Sequence, residues 1–198
     1  MNMNQRRSGI LLHITSLPSP HGIGDFGPDA YRFVDWLQST GQTIWQMLPT
    51  TPVGPGDSPY QSPSAFAGSP LMIALEPLIE MGWLEKPELP QNGFDPLRVD
   101  FRAVIPWRMD QLRKASEGFN KQARPAEREA FTKWCVNQNY WLEDYAIFMA
   151  LFNTSGFKPW WLWDMALIKR EAVAMKVARE KFIFGNSCNG VLIPNAPR

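Results

Sequence analysis

"SGILLHITSL", Ser8 to Leu17, begins with an unbroken apolar run at Ile10 to Leu12. Such a run suits a strand buried on both faces, as in a parallel sheet. The turn-rich "PSPHGIGDFGPD" follows, and then the period changes. Ala30, Phe33, Val34 and Leu37 fall at helical spacing, with Asp29 placed to cap the helix and Gly41 to stop it. "QTIWQMLP", Gln42 to Pro49, reads as a second strand ended by its proline. Strand, helix and strand joined by short connections make a βαβ unit. In α/β barrels the loops that follow the strands carry the sites. Here the loop after the second strand is "VGPGDSPYQSPSAFAGSP", Val53 to Pro70. Its prolines and glycines exclude helix and inner strand. Its anchors, Tyr60 and Phe66, favour an ordered loop over a disordered one.

Beyond Gly68 the strand–helix alternation stops. "PLMIALEPLIEMGWLEK" reads as a short apolar segment with a turn, and "PELPQNGFDPLRVDFRAVIP" as loop. From Trp107 onward the pattern is helical. Residues 125–153 place Phe131, Trp134, Trp141, Tyr145, Phe148, Met149 and Phe152 on the faces of two helices, and Asp164 to Phe182 forms another. The expected organisation is a barrel portion over 1–70, a mainly helical insertion over 71–182, and a loop-like tail over 183–198.

Composition sets the outer limits. A chain of 198 residues can bury a core of its own. A net charge of +1 without basic runs argues against a nucleic-acid or membrane-surface partner. Nine tryptophans are many; each serves either a core or a flat platform for a sugar ring. Cys135 and Cys188 lack metal spacing and fit a reduced, cytoplasmic setting. Neither a signal peptide nor a membrane span is expected from the first 20 residues, because His13, Thr15 and Ser16 interrupt the apolar run.

The candidate chemical groups are sparse. His13 and His21 could move protons, but a histidine at a strand end is more often a structural hydrogen-bonding residue. Asp25 and Asp57 lie in loops, where a lone Asp usually serves a turn. Glu143 and Asp144 are adjacent and point to different helix faces, so they are no facing carboxylate pair. Nucleotide loops, nucleophile elbows and metal clusters are absent from the pattern.

Three stretches in order, "GILLHITSLPSPHGIGDFGPDAYRFVDWL", "GQTIWQMLPTTPVGPGDSPYQSPSAFAGSPLMI" and "YWLEDYAIFMAL", closely resemble the N-terminal part of the 4-α-glucanotransferases. These are the amylomaltases of glycoside hydrolase family 77. The resemblance runs from about Ser8 to about Phe182. It implies the α/β fold class, here the N-terminal part of a (β/α)8 barrel with about two strands and one helix, plus a mainly helical insertion. It implies transfer of a segment of an α-1,4-glucan to a new 4-hydroxyl by a retaining mechanism. In that mechanism one carboxylate attacks and a second carboxyl serves as acid, then base. A sugar acceptor must outcompete water in the second step. The partner implied is an α-1,4-glucan or maltooligosaccharide, with no metal or organic cofactor and no protein partner evident.

On the same resemblance Tyr60 packs against the sugar at the cleavage site. Asp57, Ser58, Gln61 and Ser62 are its hydroxyl-binding neighbours. Trp45 and Gln46 end the second strand near the floor, where packing is the better role for Trp45. Two positions depart from the family: Pro55 stands where many relatives carry an aromatic serving a second glucan site, and Ser69 replaces a common Asn. The family's catalytic carboxylates fall C-terminal of the matched region, so none is expected in this chain. The barrel is expected to be incomplete, and the chain inactive alone. The alternatives are a non-catalytic α-glucan-binding fragment and a non-functional product. One codon choice for Phe184 to Gly190 reads, in another frame, as W-Q-F-L-Q-W, which resembles the family's continuation. A frameshift is therefore the expected origin of the tail.

Overall fold

The computed structural model describes residues 6–181. The expected tail over 183–198 lies outside them. Two short strands, β1 (Gly9–Leu11) and β2 (Ile44–Gln46), pair in parallel, with Gly9 opposite Ile44, Ile10 opposite Trp45 and Leu11 opposite Gln46. Glycine is required at the first of these pairs. A Cβ on Gly9 would lie 2.4 Å from the Ile44 carbonyl oxygen. The expected βαβ unit is present, since helix α1 (Pro28–Ser39) connects the two strands. Its cap differs from the expectation. The N-cap is Gly27, whose N–H donates to the Asp25 carboxylate at 2.9 Å, while Asp29 sits inside the first turn and pairs with Arg32. Pro28 takes the first helical position, where a missing N–H costs nothing, and this shifts the start two residues ahead of the expected cap. Gly41 stops the helix in the left-handed region at φ 72°.

The expected burial of both strand faces is not found. Ile10 and Trp45 are half-buried, but Leu11 and Ile44 on the other face are 61% and 43% exposed. Apolar runs acquire two buried faces only when layers and neighbouring strands cover both. Among the described residues the sheet has two strands. The covered side packs Ile14, Leu17, Ala30 and Met72 with Phe33, Trp45 and Met47. A second cluster joins Ile23, Leu71 and Val104 with Val53, Phe94 and Ile105.

Helix α2 (Glu76–Glu80) is one short turn beyond the long loop. Helix α3 (Phe101–Gln122) corrects the loop reading of residues 101–106. Asp100 starts it by accepting the Arg102 N–H at 3.0 Å, and Pro106 is accommodated inside at the loss of one backbone bond. The two helices read over 125–153 are α4 (Pro125–Asn137) and α5 (Leu142–Thr154). The single helix read over Asp164 to Phe182 is instead two, α6 (Met165–Ile168) and α7 (Ala172–Arg179). Asp164 caps α6 through the Ala166 N–H at 2.8 Å, and Arg170 turns the chain at φ 54°. Its side chain pairs with Asp144 on α5. The apolar side of α7, Met175 and Ala178, packs on Ile147 and Ala150.

Contacts divide the chain into two compact units, residues 1–111 and 112–198. Within the second, Phe148 stacks on Phe152 and meets Trp163 at a tilt of 40°, and Trp141 meets Tyr145. The half-buried aromatics of α5 are thus enclosed by their own unit. Aromatics of that unit that remain exposed include Tyr140, Phe157, Trp160 and Trp161, at 72%, 67%, 49% and 61%, together with Trp134 on α4.

Candidate functional site

The loop after β2 is a small closed structure. Its base is tied where the Ser69 N–H donates to the Thr50 carbonyl at 2.8 Å. Within it, a 3-10 turn spans Pro55–Asp57. Gly56 and Asp57 both take left-handed backbone, at φ 70° and 58°. Asp tolerates that region better than most residues because its short side chain can bond locally. The Gly54 N–H donates to the Ser58 carbonyl at 3.1 Å, and the Asp57 N–H returns to the Gly54 carbonyl at 3.1 Å. Ser58 Oγ then accepts the Tyr60 N–H at 3.3 Å. Ser62 Oγ donates to the Ser64 carbonyl at 2.8 Å, and Ser64 Oγ accepts from the N–H groups of Phe66 and Ala67. Serines substitute for the ladder bonds that the prolines forbid, so the loop is ordered by its own side chains.

Of the residues read from the sequence, Tyr60 stands 71% exposed, and Asp57 and Gln61 are exposed beside it. Ser58 and Ser62 are half-buried because they brace the turn. The five residues share this one loop. Trp45 packs instead of lining a floor: its ring meets Phe33 edge-on at 4.8 Å and its Nε1 donates to the Leu12 carbonyl at 2.7 Å. Gln46 is exposed at the end of β2. Ser69 is buried.

A second group of polar residues was only half visible in the sequence. His21, Asp25 and Glu76 bring their ligand atoms within 4.8 Å of one another. Arg108 lies wholly buried against them, with its Nη2 donating to Asp25 at 2.5 Å and to the Ile73 carbonyl. Burial pushes the Asp25 carboxyl up, against the opposing pull of the guanidinium. Burial also lowers the pKa of His21, with Glu76 pulling the other way. His21 stacks on Trp107 at 5.8 Å. Arg108 supplies a positive charge beside Asp25, and His21 faces Glu76 at 3.5 Å, so the group forms an ion-pair network around a buried guanidinium. His13, half-buried, is likewise lowered by desolvation. Glu143 and Asp144 go separate ways, as adjacent helical residues must, to Arg179 and Arg170. Arg108 did leave a trace in the sequence: it interrupts the apolar stripe Val104, Leu112, Ala115 on α3, and a charge in such a stripe requires a buried partner.

Comparison with known proteins adds what the geometry of one loop cannot. The family model described as "4-alpha-glucanotransferase" matches residues 12–183. A 4-alpha-glucanotransferase of Thermus thermophilus is 47% identical over 176 residues, covering 88% of this chain and 34% of that protein. One from Synechocystis sp. is 40% identical over 176 residues, covering 88% of this chain and 35% of its own length. The chain thus spans about a third of the length of the curated relatives it matches. Among solved structures, an amylomaltase from Streptococcus agalactiae in complex with acarbose superposes with a TM-score of 0.84 at 36% identity, covering 95% of this chain and 38% of that one. Its two parallel strands and its helices are accordingly part of a (β/α)8 barrel with a helical addition. From residue 12 to residue 183 the chain belongs to the 4-alpha-glucanotransferase family, glycoside hydrolase family 77.

Proposed function

We propose that this chain contributes one wall of an α-1,4-glucan groove, with Tyr60 stacking on a glucose ring. Asp57, Ser58, Gln61 and Ser62 supply hydrogen bonds to its hydroxyls. One observation carries the reading: a chain of this family holds Tyr60 71% exposed on a loop ordered by its own serines. An exposed aromatic on a rigid support loses little entropy on binding and offers a flat apolar face to a pyranose. The acarbose complex of the Streptococcus agalactiae relative supports a carbohydrate ligand.

The reaction of the family is segment transfer between α-1,4-glucans through a covalent glycosyl intermediate, which needs two carboxyl groups about 5 Å apart across the scissile bond. Three of the carboxylates are engaged otherwise: Asp25 by Arg108, Glu143 by Arg179 and Asp144 by Arg170. In this reading residues 1–70 belong to the barrel, 71–182 form the helical addition, and this chain by itself binds maltodextrin in the cytoplasm without turning it over.

Calorimetry with maltotetraose tests the binding. The chain should bind it, and Tyr60→Ala should weaken affinity at least about tenfold, the loss of one well-placed aromatic contact. Equal binding by the two overturns the role of Tyr60. Incubation with maltotriose should release no glucose and form no longer maltodextrins; turnover by the chain alone overturns the reading of it as a binder.

A further inference from the structure

We propose that Gly54 is the positioning residue of Tyr60: its bare Cα is what lets residues 54–61 close into the ring that holds the tyrosine outward. This rests on the reading of Tyr60 as a sugar contact. The backbone of Gly54 is extended, at φ −98°, which any residue adopts, so conformation does not demand glycine there. Space does. A Cβ on Gly54 would lie 1.7 Å from the Gln61 carbonyl oxygen, 2.7 Å from its carbon and 2.9 Å from the Gln61 Cβ. The first two are backbone atoms and cannot swing away as a side-chain end can. Gly56, two residues on, is the reverse case: it needs its positive φ of 70°, but a Cβ there would meet nothing within 4 Å.

The clash falls where it matters. Gly54 is bonded across the ring to Ser58 through N–H to carbonyl at 3.1 Å, and the Gln61 N–H returns to the same Ser58 carbonyl at 3.4 Å. Tyr60 occupies the turn between these two ties, with its own N–H on Ser58 Oγ at 3.3 Å. Relieving a 1.7 Å approach requires Gln61 to retreat by more than an ångström, and this opens the 58–61 turn. Tyr60 then loses its direction, and Gln61, a second sugar-facing residue, moves with it. A misplacement of about 1 Å costs up to about 100-fold where a group must meet its partner in one geometry.

Gly54→Ala is the test, with Gly68→Ala as control, because a Cβ on Gly68 meets nothing within 4 Å. The full chain is labelled with 3-fluorotyrosine, and the Tyr60 resonance is assigned by Tyr60→Phe. Gly54→Ala should shift or broaden that resonance, leave the resonances of the other tyrosines unchanged, and weaken maltotetraose binding about tenfold or more. Gly68→Ala should change none of these. An unmoved Tyr60 resonance in Gly54→Ala overturns the proposal. So does wild-type affinity in Gly54→Ala when Tyr60→Ala loses it. Absence of maltotetraose binding by the unsubstituted chain overturns the sugar-contact reading instead, and the fluorine resonance still decides whether Gly54 positions Tyr60. Should Gly54→Ala lose its fold, Ser58→Ala keeps the backbone ties of the ring and deletes the Oγ that accepts the Tyr60 N–H. It should move the Tyr60 resonance in a folded chain, and an unmoved resonance there overturns the proposal.

Discussion

Arg108 shows how one buried charge organises its surroundings. It is fully enclosed, yet its guanidinium meets Asp25 and the Ile73 carbonyl, and Asp25 in turn holds the Gly27 N–H at the start of α1. An ion pair of this kind adds little net stability against a well-packed apolar pair, but removing one partner strands the other. Arg108→Met should therefore destabilise the chain by about 3–5 kcal/mol in urea unfolding. The double variant Arg108→Met, Asp25→Asn should recover part of that loss, since the stranded carboxylate is gone. A double variant no better than the single would show that Asp25 is not the group Arg108 neutralises. The sequence marked Asp25 as a loop acid and left Arg108 unmarked. It could not join them across 83 positions, because nothing local encodes a pairing that only the packing of α3 produces.

At the scale of elements, the helices were legible where the apolar period was sustained, as for α4 and α5. They were misread where one local rule overruled another. Pro106 suggested loop, but α3 runs through it, because Val104, Leu112 and Ala115 bury a continuous stripe on the same helix. Pro106 is exposed, so its ring contributes little packing to offset the missing N–H. Pro106→Ala should restore the bond to the Arg102 carbonyl and stabilise the chain by about 1–3 kcal/mol, read as a raised urea midpoint. A lowered midpoint would mean that the helix needs its proline bend. The break between α6 and α7 is the opposite error. The composition there is good helix former throughout, and the left-handed Arg170 is selected by the fit of Met175 and Ala178 onto α5.

For the whole molecule, the two-stranded sheet sets the behaviour in solution. Leu11 and Ile44 project from one exposed face, and parallel strands with open edges present unpaired donors and acceptors. The chain should self-associate with rising concentration, and Leu11→Lys with Ile44→Lys should reduce that association in sedimentation velocity. A monomer at all concentrations would show that this face is not sticky. The sequence by itself determined the family, the βαβ order and the loop that carries Tyr60, because apolar period, glycine and proline placement and a long specific motif are local properties of the chain. Tertiary structure alone decided the burial of Arg108 with Asp25, the exposure of the second sheet face and the closeness of Gly54 to Gln61. Each of these depends on which distant or folded-back segments share a volume, and shared volume is not written in any single stretch of residues.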